Sequence, residues 1–264
     1  MNLRIRIAVA DDVDAVARLT AVARRRLAGW SPRWWRRSAA ADQVHPLWLQ
    51  HLIGNDGPIV RVAAEGDEII GCVASMPQTS QWVVDDLAIA NDERWDDAGI
   101  ALVDAIAERP ALHCAPATDR SRLTALDQTG LEHVSSYWIR DAEDGDVPTR
   151  PLPDNAEIPA PPLHTFGALD PHAEGALSFA GVHGGLVIGS PPITAPPVYD
   201  PGGTVAIIDR IAQPDDRLVR AALAASAQRG DVLVNVVTTS TDVALQGLLA
   251  AHGFCRTVDV YRWP

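Results

Sequence analysis

The feature that most constrains how this chain can fold is an internal repeat. An offset of 123 residues brings VVDDLAIANDER (83–94) onto AIIDRIAQPDDR (206–217). Asp86 then meets Asp209, Asp92 meets Asp215 and Arg94 meets Arg217. Further on, without a gap, Asp119, Leu126 and Gly130 meet Asp242, Leu249 and Gly253. Both copies read in the same order: strand, helix, strand, helix, glycine turn, strand. Identities that agree with element order point to duplication of one supersecondary unit. The expected fold class is therefore α/β (α+β), with two related mixed-sheet units in tandem and the second one truncated.

The chain is long enough for two such units, at 264 residues. Residues 141–162, DAEDGDVPTRPLPDNAEIPAPP, hold six prolines and six acids and read as a segment that resists helix formation. The expected division is an N-terminal unit over 1–141, a linker over 142–162 and a C-terminal unit over 163–264.

Within the first unit, Ile5 to Val9 reads as a strand. Val13, Val16, Leu19, Ala23 and Leu27 recur at helical spacing after Asp11 and Asp12, with Gly29 as the expected stop. Pro46 to Ile53 reads as a second helix. Val60 to Ala64 and Ile69 to Ser75 flank Glu65-Gly66-Asp67 and predict a β-hairpin. Trp82 to Ala90 reads as a strand. Trp95, Ala98, Leu102 and Ile106 mark one face of a helix expected to stop at Pro110. A short strand at Leu112–Ala115, a helix at Ser121–Gln128 and a strand at Ser135–Arg140 close the unit.

Composition removes several functional classes. Net charge is −12, and all the lysine-plus-arginine total is arginine, which argues against nucleic acid as a general partner. No run of about 18 apolar residues exists and the N-terminus lacks signal-peptide regions, so a cytoplasmic location without a membrane partner is expected. Three cysteines without CxxC spacing and eight scattered histidines predict neither a disulfide framework nor a metal site.

Two local features carry chemistry. RRRLAGWSPRWWRR (24–37) packs six arginines and three tryptophans into 14 residues. Guanidinium and indole groups together suit an anionic or aromatic ligand, and Trp30, Arg33 and Trp34 are the residues singled out for it. Packing of the tryptophans against the sheet is the other reading. Asp85 and Asp86 lie on one predicted strand, where side chains alternate, so only one of them is expected to face a given site. In the second half, GVHGG (181–185) reads as a glycine-rich turn and PPITAPPVYDPGG (191–203) as a proline-rich connection.

Four stretches, in order, resemble the GCN5-related N-acetyltransferase superfamily: IRIAVADDVDAVARL, VRVAAEGDEIIGCVAS, VVDDLAIANDERWDDAGIALVDAI and LTALDQTGLEHVSSYWIR. The second half matches only later elements, ending in LLAAHGFCRTVDVYRWP. The resemblance implies an acyl-CoA phosphate turn at the start of a helix, with Gly99 and Ala101 at its G-x-A positions, and Ala98 and Ile100 beside them. It implies that the strand backbone at Leu87, Ala88 and Ile89 takes the pantetheine arm. Asp96 stands where the family has Gln or Arg, and Asp92, Glu93, Asp96 and Asp97 crowd the turn. It also implies a carboxylate base, here Asp85 or Asp86. Where many members carry a proton-donating tyrosine, this chain has Leu126, and Leu249 in the repeat.

The resemblance therefore implies an acetyl-CoA-dependent N-acyltransferase, with acetyl-CoA as substrate and a small amine or a peptide as acceptor. The alternative is an inactive member that keeps the fold for ligand binding or interaction. Either an internal pseudo-dimer working as a monomer or a homodimer is compatible with the repeat.

Overall fold

The computed structural model describes residues 2–31, 33–78, 81–107 and 111–264. Two compact units divide the chain, and the division differs from the one expected. The first holds Met1–His133, Pro197–Tyr199 and Val260–Pro264; the second holds Val134–Pro196 and Asp200–Asp259. The boundary falls before residue 141 because Ser135–Asp141 pair with Leu233–Thr239 of the second unit. The acidic, proline-rich stretch belongs to that unit too, since its Thr149–Pro151 pairs with Phe179–Gly181. Proline is tolerated there because an edge strand does not need every N–H.

The first unit contains β1 (Leu3–Ile7), α1 (Val13–Trp30), α2 (Ala41–Gly54), β2 (Ile59–Glu65), β3 (Glu68–Pro77), β4 (Trp82–Ile89), α3 (Ile100–Asp104), β5 (Ala111–Pro116) and α4 (Arg120–Gln128). The strands lie in the order β1-β2-β3-β4-β5, antiparallel up to β4 and parallel between β4 and β5. Gly66, at φ +59°, makes the β2–β3 turn that the sequence predicts. Period-2 alternation splits the sheet into two apolar faces. Val62, Cys72, Ala74 and Ala88 meet Val16, Leu19, Leu49 and Leu52 of α1 and α2. Ala63, Val73, Leu87 and Ile89 meet Leu102, Val103, Leu123 and Leu126 on the opposite side. Leu126 is wholly buried, which gives its apolar side chain a packing role. Helix α1 continues through Gly29, and α2 begins at Ala41 rather than Pro46, which brings His45 onto the helix.

The second unit contains β6 (Glu132–Asp141) from Val134 onward, β7 (Thr149–Pro151), β8 (Phe179–Gly181), β9 (Leu186–Gly189), β10 (Thr204–Ala212), α5 (Asp216–Arg229), β11 (Asp231–Thr239), α6 (Val243–Ala251) and β12 (Cys255–Arg262) as far as Asp259. Its strands run β12-β6-β11-β10-β9-β8-β7. Ala206, Ile208, Val234 and Val236 pack on Leu218, Leu223, Leu245 and Leu249. Asp215 caps α5 by accepting the Leu218 N–H at 2.7 Å, and Gly230 closes it at φ +91°. No helix lies between β6 and α5, so this unit lacks counterparts of α1 and α2 and is the truncated copy. Among the described residues, no helix is long and apolar enough to cross a membrane.

Candidate active site

In the first unit β4 and β5 pair only from Trp82–Val84 to Ala111–His113. Beyond Val84 the two parallel strands part, and among the described residues the β4 edge from Asp85 to Ile89 has no ladder partner on that side. A cavity of about 180 Å³ opens there. Its walls come from Asp85–Ile89, from α1 through Arg24, Arg26 and Trp30, from Trp95, and from Cys114 and Arg122. Trp35 and Tyr199 also line it. Tyr199 lies in the proline-rich segment 191–203 and is held in this unit by a bridge to Arg37, by the Ser38 N–H donating to Val198 O at 3.1 Å, and by Ser38 Oγ donating to Pro197 O at 2.5 Å.

Arg122 crosses the gap between the strands. Its Nη1 donates to Leu87 O at 3.3 Å and its Nη2 to Cys114 O. The guanidinium also sits 5.8 Å from the Trp95 ring centroid, within cation–π range. One side chain thus takes the place of the missing rungs between β4 and β5.

Asp85 and Asp86 occupy the head of the gap, and alternation does not separate them as expected. The β3–β4 register runs Ala74↔Asp86 and then Ser75↔Val84, so Asp85 is the extra residue of a β-bulge. Both carboxylates consequently meet the same helix. Trp48 Nε1 donates to Asp85 Oδ2 at 3.0 Å, and His45 Nε2 stands 2.9 Å from Asp86 Oδ2. An ionised carboxylate only accepts, so the His45 ring donates there. Thr20 Oγ1, 3.3 Å from His45 Nδ1, fixes the other side of the ring.

The two acids are driven apart in strength. Asp85 reaches solvent at its edge, yet the surrounding protein and the neighbouring Asp86 charge raise its pKa to about 6. Burial works to raise Asp86 as well, but the His45 hydrogen bond and the positive charges around it, Arg24 and Arg122 included, outweigh that and hold it below the usual carboxylate range.

The turn expected to hold phosphates is built differently. The helical run starts at Asp92, with Asn91 accepting the Glu93 N–H, and passes through a 3₁₀ turn (Asp92–Arg94) and a π-helical turn (Trp95–Gly99) into α3. Gly99 lies inside that run, at φ −64° and ψ −53°, so Ala98, Gly99, Ile100 and Ala101 are not at a helix start. A Cβ on Gly99 would stand 2.4 Å from Trp95 Cε3, so glycine is required there by the indole. Two of the four acids at this turn, Asp92 and Asp97, are matched. Arg26 Nη1 meets Asp92 Oδ1 at 2.6 Å, and Arg94 Nη2 meets Glu65 at 2.7 Å and Asp97 at 2.8 Å.

Of the residues singled out in the Arg-Trp segment, Trp30 lines the cavity; Arg33 is exposed, Trp34 is half-buried, and neither is part of the lining. Arg24, Trp35, Arg122 and Tyr199 were not anticipated. The helical stripe that contains Val16 and Leu19 places Arg24 on the same buried face and could have found it; nothing in the sequence marks Tyr199.

The repeat offset also needs local revision. In β10, Asp209 is the residue left out between Ile208↔Gly189 and Arg210↔Ile188. By bulge position Asp209 corresponds to Asp85, not Asp86. Strand registers agree, since Val84 pairs His113 and Ile208 pairs Val236 at the last rung before each gap. Asp209 is fully buried, bound by Arg210 Nε at 2.9 Å and by the Leu169 N–H at 3.2 Å. It is a structural ion pair where Asp85 is an open carboxylate.

No protein-family model and no curated protein matches this sequence. Solved structures do match it in fold. The GCN5-related N-acetyltransferase from Sphaerobacter thermophilus is 16% identical, covers 98% of this chain and 94% of its own, and has a TM-score of 0.52. A protein from Thermoplasma acidophilum assigned to the acetyltransferases is 10% identical, covers 98% of this chain and 99% of its own, and has a TM-score of 0.55. The chain has the GCN5-related N-acetyltransferase fold, carried through both of its units.

Proposed function

We propose that the protein is an acyl-CoA-dependent N-acyltransferase whose working site is the β4–β5 gap of the first unit. One observation carries this reading: at the head of that gap two adjacent carboxylates are split in strength, Asp85 raised to about 6 and Asp86 kept low. Such a pair suits one group to take a proton and the other to stay charged.

The β4 edge at Leu87, Ala88 and Ile89 is free of a strand partner and fits the amides of a pantetheine arm. The Gly99 turn does not fit the phosphates. Arg26 and Arg94 are cations at the start of the helical run, and the exposed Arg26–Asp92 pair is worth little enough to be exchanged for a phosphate contact. The acyl-CoA would supply a thioester carbonyl as the electrophile. Asp85 would take the proton from the acceptor ammonium, and Asp86, oriented by His45, would hold the cation in place beforehand. The acid-rich mouth and the cavity size favour a small amine over a peptide as acceptor.

The test is thiol release from acetyl-CoA across a panel of small amines. Turnover that Asp85→Asn lowers by about 10² or more, in kcat rather than in the acetyl-CoA KM, is the expected result. No turnover with any amine, together with no heat of binding at millimolar acetyl-CoA, would sink the reading.

A further inference from the structure

Arg24 is a charge in this cavity to which the reaction above gives no contact with either substrate. It projects from α1, is 2% exposed, and lines the gap that Asp85 and Asp86 also line. Its Nε has no hydrogen-bond partner, and among the described residues no carboxylate forms an ion pair with it. A guanidinium stays charged at any physiological pH, and a buried charge without a partner is costly. Asp86 feels Arg24 only through space, its hydrogen bond going to His45. Arg122, the other buried arginine here, is committed to Leu87 O and Cys114 O.

We propose that Arg24 receives an anionic group of the acceptor, so that the substrate class is a small amine that also bears a carboxylate or phosphate. This rests on the acyltransferase reading of the same gap. The cavity then matches a zwitterion: Asp85 and Asp86 face the ammonium end and Arg24 the anionic end. Trp30 and Trp35 supply apolar walls to the same cavity. The volume, about 180 Å³, is below the ~300–1,000 Å³ of pockets for drug-sized ligands. It suits a molecule the size of one amino acid. Bidentate recognition is what a guanidinium offers an anion of either kind.

The experiment compares matched acceptors: β-alanine against β-alaninamide, phenylalanine against phenylalaninamide, and phosphoethanolamine against ethanolamine. The amide's amine is the less basic and more often unprotonated, so preference for the acid has to come from binding. In the wild type the anionic member of at least one pair should have a kcat/KM at least tenfold higher. That ratio should collapse toward one in Arg24→Gln and persist in part in Arg24→Lys. Equal use of acids and neutral partners by the wild type would overturn the proposal, as would a preference that Arg24→Gln leaves intact. A carboxylate preference without a phosphate one identifies the first source of the anion, and the reverse identifies the second.

If no amine is acylated, the acyltransferase reading fails on its own, and calorimetry with β-alanine, phenylalanine and phosphoethanolamine decides the anion site. Heat in the wild type that Arg24→Lys weakens supports it; no heat at 10-millimolar order of ligand, far above ordinary KM values, overturns it. Arg24→Lys keeps the charge and serves where Arg24→Gln fails to fold.

Discussion

Asp85 and Asp86 follow one another in the chain, yet both carboxylates reach α2, one bonded to Trp48 and the other to His45. The bulge at Asp85 is the cause, because the added residue cancels the alternation that would send the two to opposite faces. A bulge is a local change of backbone that re-aims a single side chain. Here it crowds two negative charges together, and that crowding helps make Asp85 the weaker acid.

The raised pKa of Asp85 sets the pH dependence of activity. A base works only when deprotonated, so kcat/KM should fall about tenfold per unit below pH ~6 and level off above it. Asp85→Asn should remove this limb along with most of the rate. A profile flat between pH 5 and 7 in the wild type would exclude Asp85 as the base.

The same residue should cost stability. Its folded pKa, about 6, exceeds the ~3.9 of an unfolded aspartate. The folded state therefore binds the extra proton between those values, and stability rises as pH falls through 6. Above pH 6 the ionised group opposes folding. Asp85→Asn should raise the melting temperature at pH 7.5 and leave it nearly unchanged at about pH 3, where both states are largely protonated. A lower melting temperature at pH 7.5 would contradict the crowding described here.

Much of the fold could be read from the residues, because it rests on periodicity and turn chemistry. The hairpin at Gly66 and the glycine turns at Gly130 and Gly253, both with positive φ, fall where the sequence puts them. The face of Trp95, Ala98, Leu102 and Ile106 is buried as its spacing predicts. What escaped is what depends on partners far away in sequence. The bulge at Asp85 needs the β3 register, and Tyr199 reaches the first unit from within the second half of the chain. Gly99 misled for a related reason. Its glycine is explained by the Trp95 ring four residues earlier, while the matching Gly-x-Ala spacing suggests a phosphate turn.

Gly99→Ala tests that explanation. The new methyl would overlap the indole, whose neighbours Ala98 and Leu102 are fully buried and leave it little room. Overpacking of this kind costs about 1–3 kcal/mol. A thermal melt should show the loss, and Trp95→Leu in the same chain should restore part of it. If Gly99 instead served phosphate binding, Gly99→Ala would raise the acetyl-CoA KM with the melting temperature unchanged.

Arg122 offers a second stability test. Arg122→Met keeps the apolar stem but leaves Leu87 O and Cys114 O without their donor. Each buried acceptor left open costs about 1–3 kcal/mol. The loss should appear in chemical denaturation as a lower midpoint with an unchanged slope. Arg122→Lys has one ammonium and cannot span both strands, so it should recover only part of the loss.

The corresponding bulge residues of the two units should respond in opposite directions. Asp209 is enclosed and paired with Arg210, so Asp209→Asn leaves the partly buried Arg210 guanidinium without its counter-charge. Breaking a buried pair from one side costs roughly 3–5 kcal/mol. Asp85→Asn instead removes an ionised group that the folded state disfavours at neutral pH. One substitution at equivalent places of a duplicated strand should thus lower the melting temperature in the second unit and raise it in the first. Acyl transfer per folded molecule should follow the reverse pattern, lost with Asp85 and kept with Asp209. Equal destabilisation by both would mean that Asp85, too, is part of the scaffold, and the case for it as the base would fall with that result.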